Sequence, residues 1–307
     1  MKLNKKFILS ITAACILFVA FFAVVIMFGA KQFLAIYTRE KAGANNNSWR
    51  LLEQSTKDEL GAVLAVLASD NSLRDTYLLG DQNELYRYAS PLFTTLKNQY
   101  GITHWYFILP DGKIFLRMHK KSLSGDSAGA RKTFQAARDT QKLSSGIELG
   151  GTAYALRVVL PFFDKSRKLI GYLELAKDMN HLLLPLKSVS GDRMALFADK
   201  KHLDRNAWAW MAVNSGARDA WNDLEEHVIT NDFGEDDFFT RECFSDKNSE
   251  AIEGGPVNTT IIQAKKTFLC SGFAINDITG TQIGALLSLS DLTNQAQAIS
   301  RWGLLKD

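Results

Sequence analysis

Polar and ionisable side chains fall in the middle of three stretches that otherwise read as apolar β-structure. Successive residues of a strand face opposite ways. Lys113–Lys120 therefore splits into Phe115, Arg117 and His119 on one face and Ile114, Leu116 and Met118 on the other. The second set is an ordinary core face. The first sets two cationisable groups beside an aromatic ring. Leu169–Ala176 divides the same way, with Tyr172 and Glu174 opposed to Leu173 and Leu175, and Arg157 interrupts the apolar run Tyr154–Leu160. A charge in the centre of a sheet is costly unless it is paired. Two readings follow. The faces are solvated, as in half-exposed antiparallel sheets, or Arg157 is tied to Glu174 as a structural bridge. Alternatively, the groups line a polar pocket roofed by the long segment between Lys120 and Gly146. In that pocket the planar fork of Arg117 suits a carboxylate, with Arg157, His119 or Tyr172 assisting. Glu148 or Glu174 suits an ammonium, so amino acids and amines stay open beside organic acids.

The surrounding pattern must position these groups. From Lys31 to Ala68 it is helical, with Leu60, Val63, Leu64 and Leu67 on one side. Asn45, Asn46 and Asn47 interrupt that run. A second helix starts near Asp81, where Asp81 and Glu84 have capping-box spacing, and Pro91 is expected to kink or split it. The period then changes to two. His104–Leu109 and Lys113–His119 read as strands joined by the turn Pro110-Asp111-Gly112. A helix follows near residues 130–137, then strands at 146–149, 153–162 and 169–176. A second module begins after Pro185. Its candidate strands are Met194–Ala198, Trp208–Val213, Glu226–Thr230, Thr259–Ala264, Lys266–Ile275 and Gln282–Ser290, and Asp291 is placed to cap a last helix. Helices followed by strands in each module give an α+β fold with antiparallel sheets.

The N-terminus sets the compartment. Phe7–Ala30 is free of charge over 24 residues. At 1.5 Å per residue it reaches about 36 Å, against a hydrocarbon core of about 30 Å. Lys2, Lys5 and Lys6 precede it and predict a cytoplasmic N-terminus. A cleaved signal peptide is disfavoured, because the apolar run is long and Phe28 stands where a small residue is wanted. The expectation is an inner-membrane anchor with residues 31–307 outside the cytoplasm. Those three lysines also account for the formal net charge of +3. The remainder is neutral, which argues against nucleic-acid binding.

Other chemistries lack their signatures. No Gly-x-Ser-x-Gly elbow, phosphate loop or dinucleotide fingerprint occurs, and no His pair has the i, i+4 spacing of a helix-borne zinc site. No enzyme activity, cofactor or metal is expected. The acidic segment 223–237 lacks the calcium-loop spacing and reads as a solvated loop. Cys15 lies in the apolar run. Cys243 and Cys270 are either paired, closing a loop worth roughly 3 kcal/mol, or two buried thiols.

The run Trp105-Tyr106-Phe107-Ile108-Leu109-Pro110-Asp111-Gly112, followed by Ile114-Phe115-Leu116-Arg117-Met118-His119-Lys120, resembles the double Cache sensory domain of bacterial chemoreceptors and sensor histidine kinases. Gly146-Ile147-Glu148, Ala155-Leu156-Arg157, Pro161 and Ile170-Gly171-Tyr172-Leu173-Glu174 are similar to its second signature. The resemblance implies a stem helix, a membrane-distal and a membrane-proximal Cache module, extracytoplasmic sensing of a small molecule, and a homodimer. It makes Arg117, His119, Glu148, Arg157, Tyr172 and Glu174 the ligand-binding candidates, and the aromatic residues Tyr106 and Phe115 on the first two strands are added to them. The expected divisions are 1–30 anchor, 31–80 stem, 81–185 distal module, 186–290 proximal module and 291–307 a helix returning to the membrane. Such receptors continue into a second span and a cytoplasmic signalling module. This chain stops at Asp307, and the open readings are a truncated sequence, a shortened gene product, or a protein that signals through a partner. A tethered interaction protein without a small ligand, or less readily a tethered enzyme, is the alternative.

Overall fold

The computed structural model describes residues 5–150, 153–215, 219–231 and 234–301. Helix α1, Lys5–Ser69, carries the apolar run directly into the stem, and its N-terminal part is long and apolar enough to cross a membrane. Leu17 and Phe18 there are uncovered by the rest of the chain. The stem is continuous through Asn45–Asn47, contrary to the interruption expected there. Asn45 is buried, and its amide donates to Asp192 Oδ2 at 2.9 Å and Ser288 Oγ at 3.1 Å. Asp192 also pairs with Lys41 at 3.3 Å. A buried amide with two partners belongs to the helix–module contact, and the helix runs on through it. Asn45→Ala is expected to cost about 1–3 kcal/mol, because a buried carboxylate and hydroxyl each lose a donor. Thermal unfolding of the full chain measures this, and an unchanged midpoint would place Asn45 outside the contact.

Helix α2, Asn71–Leu78, is capped by Asp70, and α3, Gln82–Tyr100, by Asp81, whose carboxylate accepts from Asn83 N and Glu84 N. Pro91 does not split α3. The stem residues Leu60 and Leu64 are fully buried beneath the distal sheet, a burial worth about 1.5–3 kcal/mol per side chain.

The distal sheet contains β1 (His104–Ile108), β2 (Ile114–Arg117), β3 (Ser144–Leu149), β4 (Tyr154–Phe163) and β5 (Leu169–Asp178), with α4 (Lys132–Thr140) between β2 and β3. Its antiparallel order is β2-β1-β5-β4-β3. Trp105, Phe107, Leu116, Leu156, Val158, Leu173 and Leu175 face the helices. Tyr106, Ile108, Ile114, Val159 and Tyr172 face the other way and pack on Ala128, Phe134 and Ala137. Both faces are therefore covered, the second by α4 and the segment before it.

Helix α5, Met179–Ser190, leads to the proximal sheet, and residue 185 lies inside it. The proximal sheet contains β6 (Arg193–Asp199), β7 (His227–Ile229), β8 (Val257–Gln263), β9 (Lys266–Asn276) and β10 (Gln282–Asp291), in the order β7-β6-β10-β9-β8. Among the described residues, the α-helices between its strands are α6 (Arg205–Ser215), α7 (Phe238–Cys243) and α8 (Asp246–Ala251). Trp208–Val213, expected as a strand, belongs to α6. There Trp208 is buried but Trp210 is 60% exposed, so the apolar run is not a two-period core strand. Cys243 on α7 and Cys270 on β9 form a disulfide, with Cα atoms 5.4 Å apart. The last described helix, α9, is Thr293–Arg301, where Thr293 N donates to Asp291. The expected continuation through 302–307 lies outside the described residues.

Candidate functional site in the distal module

The covered face of the distal sheet gathers the mid-strand charges. Strand pairing places Tyr106 opposite Arg117 on one side and Glu174 on the other, while Val159 lies opposite Glu174 and Gly146 opposite Arg157. This register carries side chains from all five strands to one patch. Arg117, Glu148, Arg157, Tyr172, Glu174 and Tyr106 are all buried there. His119 stands exposed at its rim.

Phe115 departs from the expected grouping. The β1–β2 register shifts after Phe107, so that Phe107 faces Leu116 but Ile108 faces Ile114. This bulge absorbs one residue and reverses the alternation on either side of it. Phe115 turns to the helix side, packing edge-on to Tyr77 with ring centroids 5.5 Å apart, and Ile114 takes the site side. Phe115 therefore shares no face with Arg117.

Three guanidinium groups converge on the Tyr106 ring: Arg117 at 5.3 Å, Arg131 at 4.8 Å and Arg157 at 5.9 Å from its centroid. Like charges so close require counter-charge. Glu174, fully buried, accepts from Arg157 at 2.5 Å and from Arg131 at 2.8 and 2.9 Å. Glu148 lies 3.3 Å from Arg157 Nε. Its other oxygen accepts from Thr133 N at 2.8 Å and Thr133 Oγ1 at 2.9 Å. Arg131, at the N-cap of α4, makes no side-chain cap, so the β3 carboxylate fills that role and sits where the helix dipole favours it. Arg117 holds Asp126 with two bonds, of 2.6 and 2.5 Å, and donates to Leu123 O at 2.8 Å.

The electrostatics follow from this geometry. Burial pushes the Glu174 carboxyl up, but Arg131 and Arg157 outweigh it and hold the group below its ordinary value. His104 stacks on Tyr106 and meets His119 edge-on at 4.3 Å. Desolvation, then His119 and the three arginines, lower His104 to about 3. His119 is lowered to about 4 by desolvation on its packed side and then by Arg117 and Arg157. Its open side leaves it the smaller shift of the two. Both rings are neutral near pH 7, so the positive charge of the patch resides in its arginines. Tyr172 packs edge-on to Phe134 and accepts from Gln141 at 3.1 Å.

Arg131, Thr133, Asp126 and His104 were not among the sequence candidates. His104 could have been found, since it shares strand parity with Tyr106. Arg131, Thr133 and Asp126 lie in the covering segment, where no strand period assigns a face. A separate cleft of about 360 Å³ opens between the stem and the junction of the modules, lined in part by Asn46, Trp49, Arg50, Ile147, Phe273 and Asp277. Its lining includes none of the three converging arginines. The charge cluster has the chemistry to select a ligand and is the candidate site. Among the described residues no group of His, Cys, Asp and Glu is arranged to hold a metal ion. Within the acidic segment, Asp236 pairs with Arg241, Asp237 pairs with Arg193, and Asp232 lies outside the described residues.

No curated protein matches the chain. Among solved structures, the sensory domain of the Campylobacter jejuni chemoreceptor Tlp3 is similar at 10% identity and a TM-score of 0.47, covering 87% of this chain and 98% of that one. The same domain with isoleucine bound gives 11% identity and a TM-score of 0.48, over 87% and 97% of the two chains. The sensor domain of the V. cholerae histidine kinase DctB gives 10% and 0.47, over 85% and 98%. Residues 47–295 match the family described as the double sensory domain of two-component sensor kinases. With two antiparallel five-stranded sheets hung on one long helix, the chain belongs to this double Cache family.

Proposed function

We propose that the chain is the extracytoplasmic ligand-sensing region of a bacterial transmembrane receptor, and that its distal module binds a small carboxylate-bearing molecule. The observation that carries this reading is the convergence of Arg117, Arg131 and Arg157 on one buried tyrosine ring under a covering segment. Guanidinium forks recognise carboxylates bidentately, and an enclosed face strengthens each such bond. Arg117 is the clamp, His119 stands at the entrance, and Arg157, Tyr172, Glu148 and Glu174 shape the floor. The apolar start of α1 anchors the chain in the inner membrane, and the exposed stem residues Leu51 and Val66 support a homodimer.

The start of α4 offers a route outward. Arg131 holds Glu174, Thr133 holds Glu148, and Lys132 between them pairs with Asp277 of the proximal module at 3.1 Å. The proximal module in turn grips the stem through Asp192, Ser288 and Asn45. A ligand that favours one setting of α4 would shift the β9–β10 turn and then the stem. It can do so only by its difference in affinity for the two settings.

Titration of the full chain in nanodiscs with organic acids and amino acids, followed by calorimetry, tests the reading. Arg117→Ala is expected to weaken the binding acid at least about tenfold, the worth of a bond to a charged group. An acid that binds the variant equally would remove Arg117 from the site. Chemical turnover of the titrant would favour a tethered enzyme. A second reading, an interaction module without a small ligand, draws on one observation: each of the three arginines already has an internal carboxylate. Failure of every titrant to bind would favour it.

A further inference from the structure

The three acids that balance the arginine cluster are not equivalent. Glu174 and Glu148 are strand residues whose side chains are 0% and 9% exposed. The Asp126 side chain is 59% exposed, while its partner Arg117 is 9% exposed. The Asp126 backbone is fixed separately: its carbonyl accepts from Ile114 N at 2.8 Å, and the adjoining Lys113–Ser127 bridge holds the segment to the edge of β2. The carboxylate can therefore rotate into water while the covering segment stays in place. Neither buried glutamate has that freedom.

We propose that Asp126 is an internal competitor, whose carboxylate occupies the seat on Arg117 that the carboxylate of a small acid would take. This rests on the ligand-sensing reading and gives it a charge class. With Asp126 turned to solvent, Arg117, Arg131 and Arg157 face Glu174 and Glu148, with both histidines neutral. The patch then carries one uncompensated positive charge. A monocarboxylate restores balance. A zwitterionic amino acid brings no net charge, and a dicarboxylate brings one negative charge too many, each at a desolvation cost in a buried site. The site accordingly selects monocarboxylic acids. Their apparent affinity is reduced by the fraction of time that Asp126 holds the fork, as for any ligand that binds a fractionally populated competent state.

Calorimetric titration of the full chain in nanodiscs with propionate, lactate, alanine and succinate tests this, using wild type, Asp126→Asn, Asp126→Ser and Arg117→Gln. The two Asp126 variants are expected to bind lactate or propionate at least about tenfold more tightly than wild type, since the competing charge-assisted pair is gone. Alanine and succinate are expected to bind wild type more weakly than the monoanions. If one variant fails to fold, the other carries the comparison. Equal affinity in wild type and the Asp126 variants, for an acid whose binding Arg117→Gln abolishes, would overturn the competitor and leave the sensing reading standing. Tighter wild-type binding of alanine or succinate would overturn the charge class. Absence of binding by every acid to every form would remove the sensing reading and this inference together.

Discussion

Glu174→Gln is expected to destabilise the folded chain by about 3–5 kcal/mol, the cost of breaking a buried ion pair from one side. The glutamine preserves shape and removes the charge that holds Arg131 and Arg157 together over Tyr106. Arg157 retains Glu148 at 3.3 Å, but Arg131 loses both of its bonds to Glu174. Urea unfolding of the full chain in detergent measures the loss, and a change below about 1 kcal/mol would show that the network is not the keystone of this face. The pH dependence follows from the depressed carboxyl. A group whose folded pKa lies below its unfolded value stabilises fully above the unfolded value and loses that contribution as pH falls through the folded one. Glu174 has a reference value of 4.5 and is held below it. Its share of stability is therefore complete near neutrality and drains away as pH drops below about 4.5. Glu174→Gln should flatten that acid limb relative to wild type, and two parallel limbs would contradict the assignment.

Gly284→Ala is the other large effect. Gly284 lies on β10 where the Tyr154 hydroxyl, reaching from the distal sheet, meets the carbonyl oxygens of Phe197 and Ile283. A Cβ at this position would lie against both that hydroxyl and the Phe197 carbonyl, closer than van der Waals contact permits, and 3.0 Å from Tyr154 Cζ. The Tyr154 side chain is 1% exposed and cannot retreat into solvent. One methyl group must therefore separate the modules or distort β6 and β10, at about 3 kcal/mol or more. Thermal unfolding is expected to show the loss, with earlier proteolytic separation of the two modules. Tyr154→Phe in the same chain should restore part of it, because it removes one of the two obstructions. A wild-type midpoint for Gly284→Ala would mean that the junction is not closely packed here.

The double-module layout and most of its strands are legible in the residue pattern. The distal strands follow an alternating pattern that survives at Arg117, Tyr172 and Glu174, and the cap at Asp81 obeys local hydrogen-bonding rules. The departures each have a physical cause. Simple alternation misassigns Phe115, because a bulge changes side-chain parity without changing residue type. Residues 208–213 read as a strand because a short apolar run has no decisive period. Asn45 resembled a helix interruption because its partners, Asp192 and Ser288, lie 147 and 243 residues away.

By itself the sequence determined the long apolar N-terminal helix, the α+β class and the polar residues that interrupt apolar strands, because length, period and side-chain type are local properties. Tertiary structure decided which charges neutralise which. It brought Arg131 and Asp126 from the covering segment onto a face where the strands supplied only Arg117, Arg157, Glu148 and Glu174. A buried charge is governed by whatever lies within a few ångströms of it, and proximity across five strands and a helix is not written in residue order.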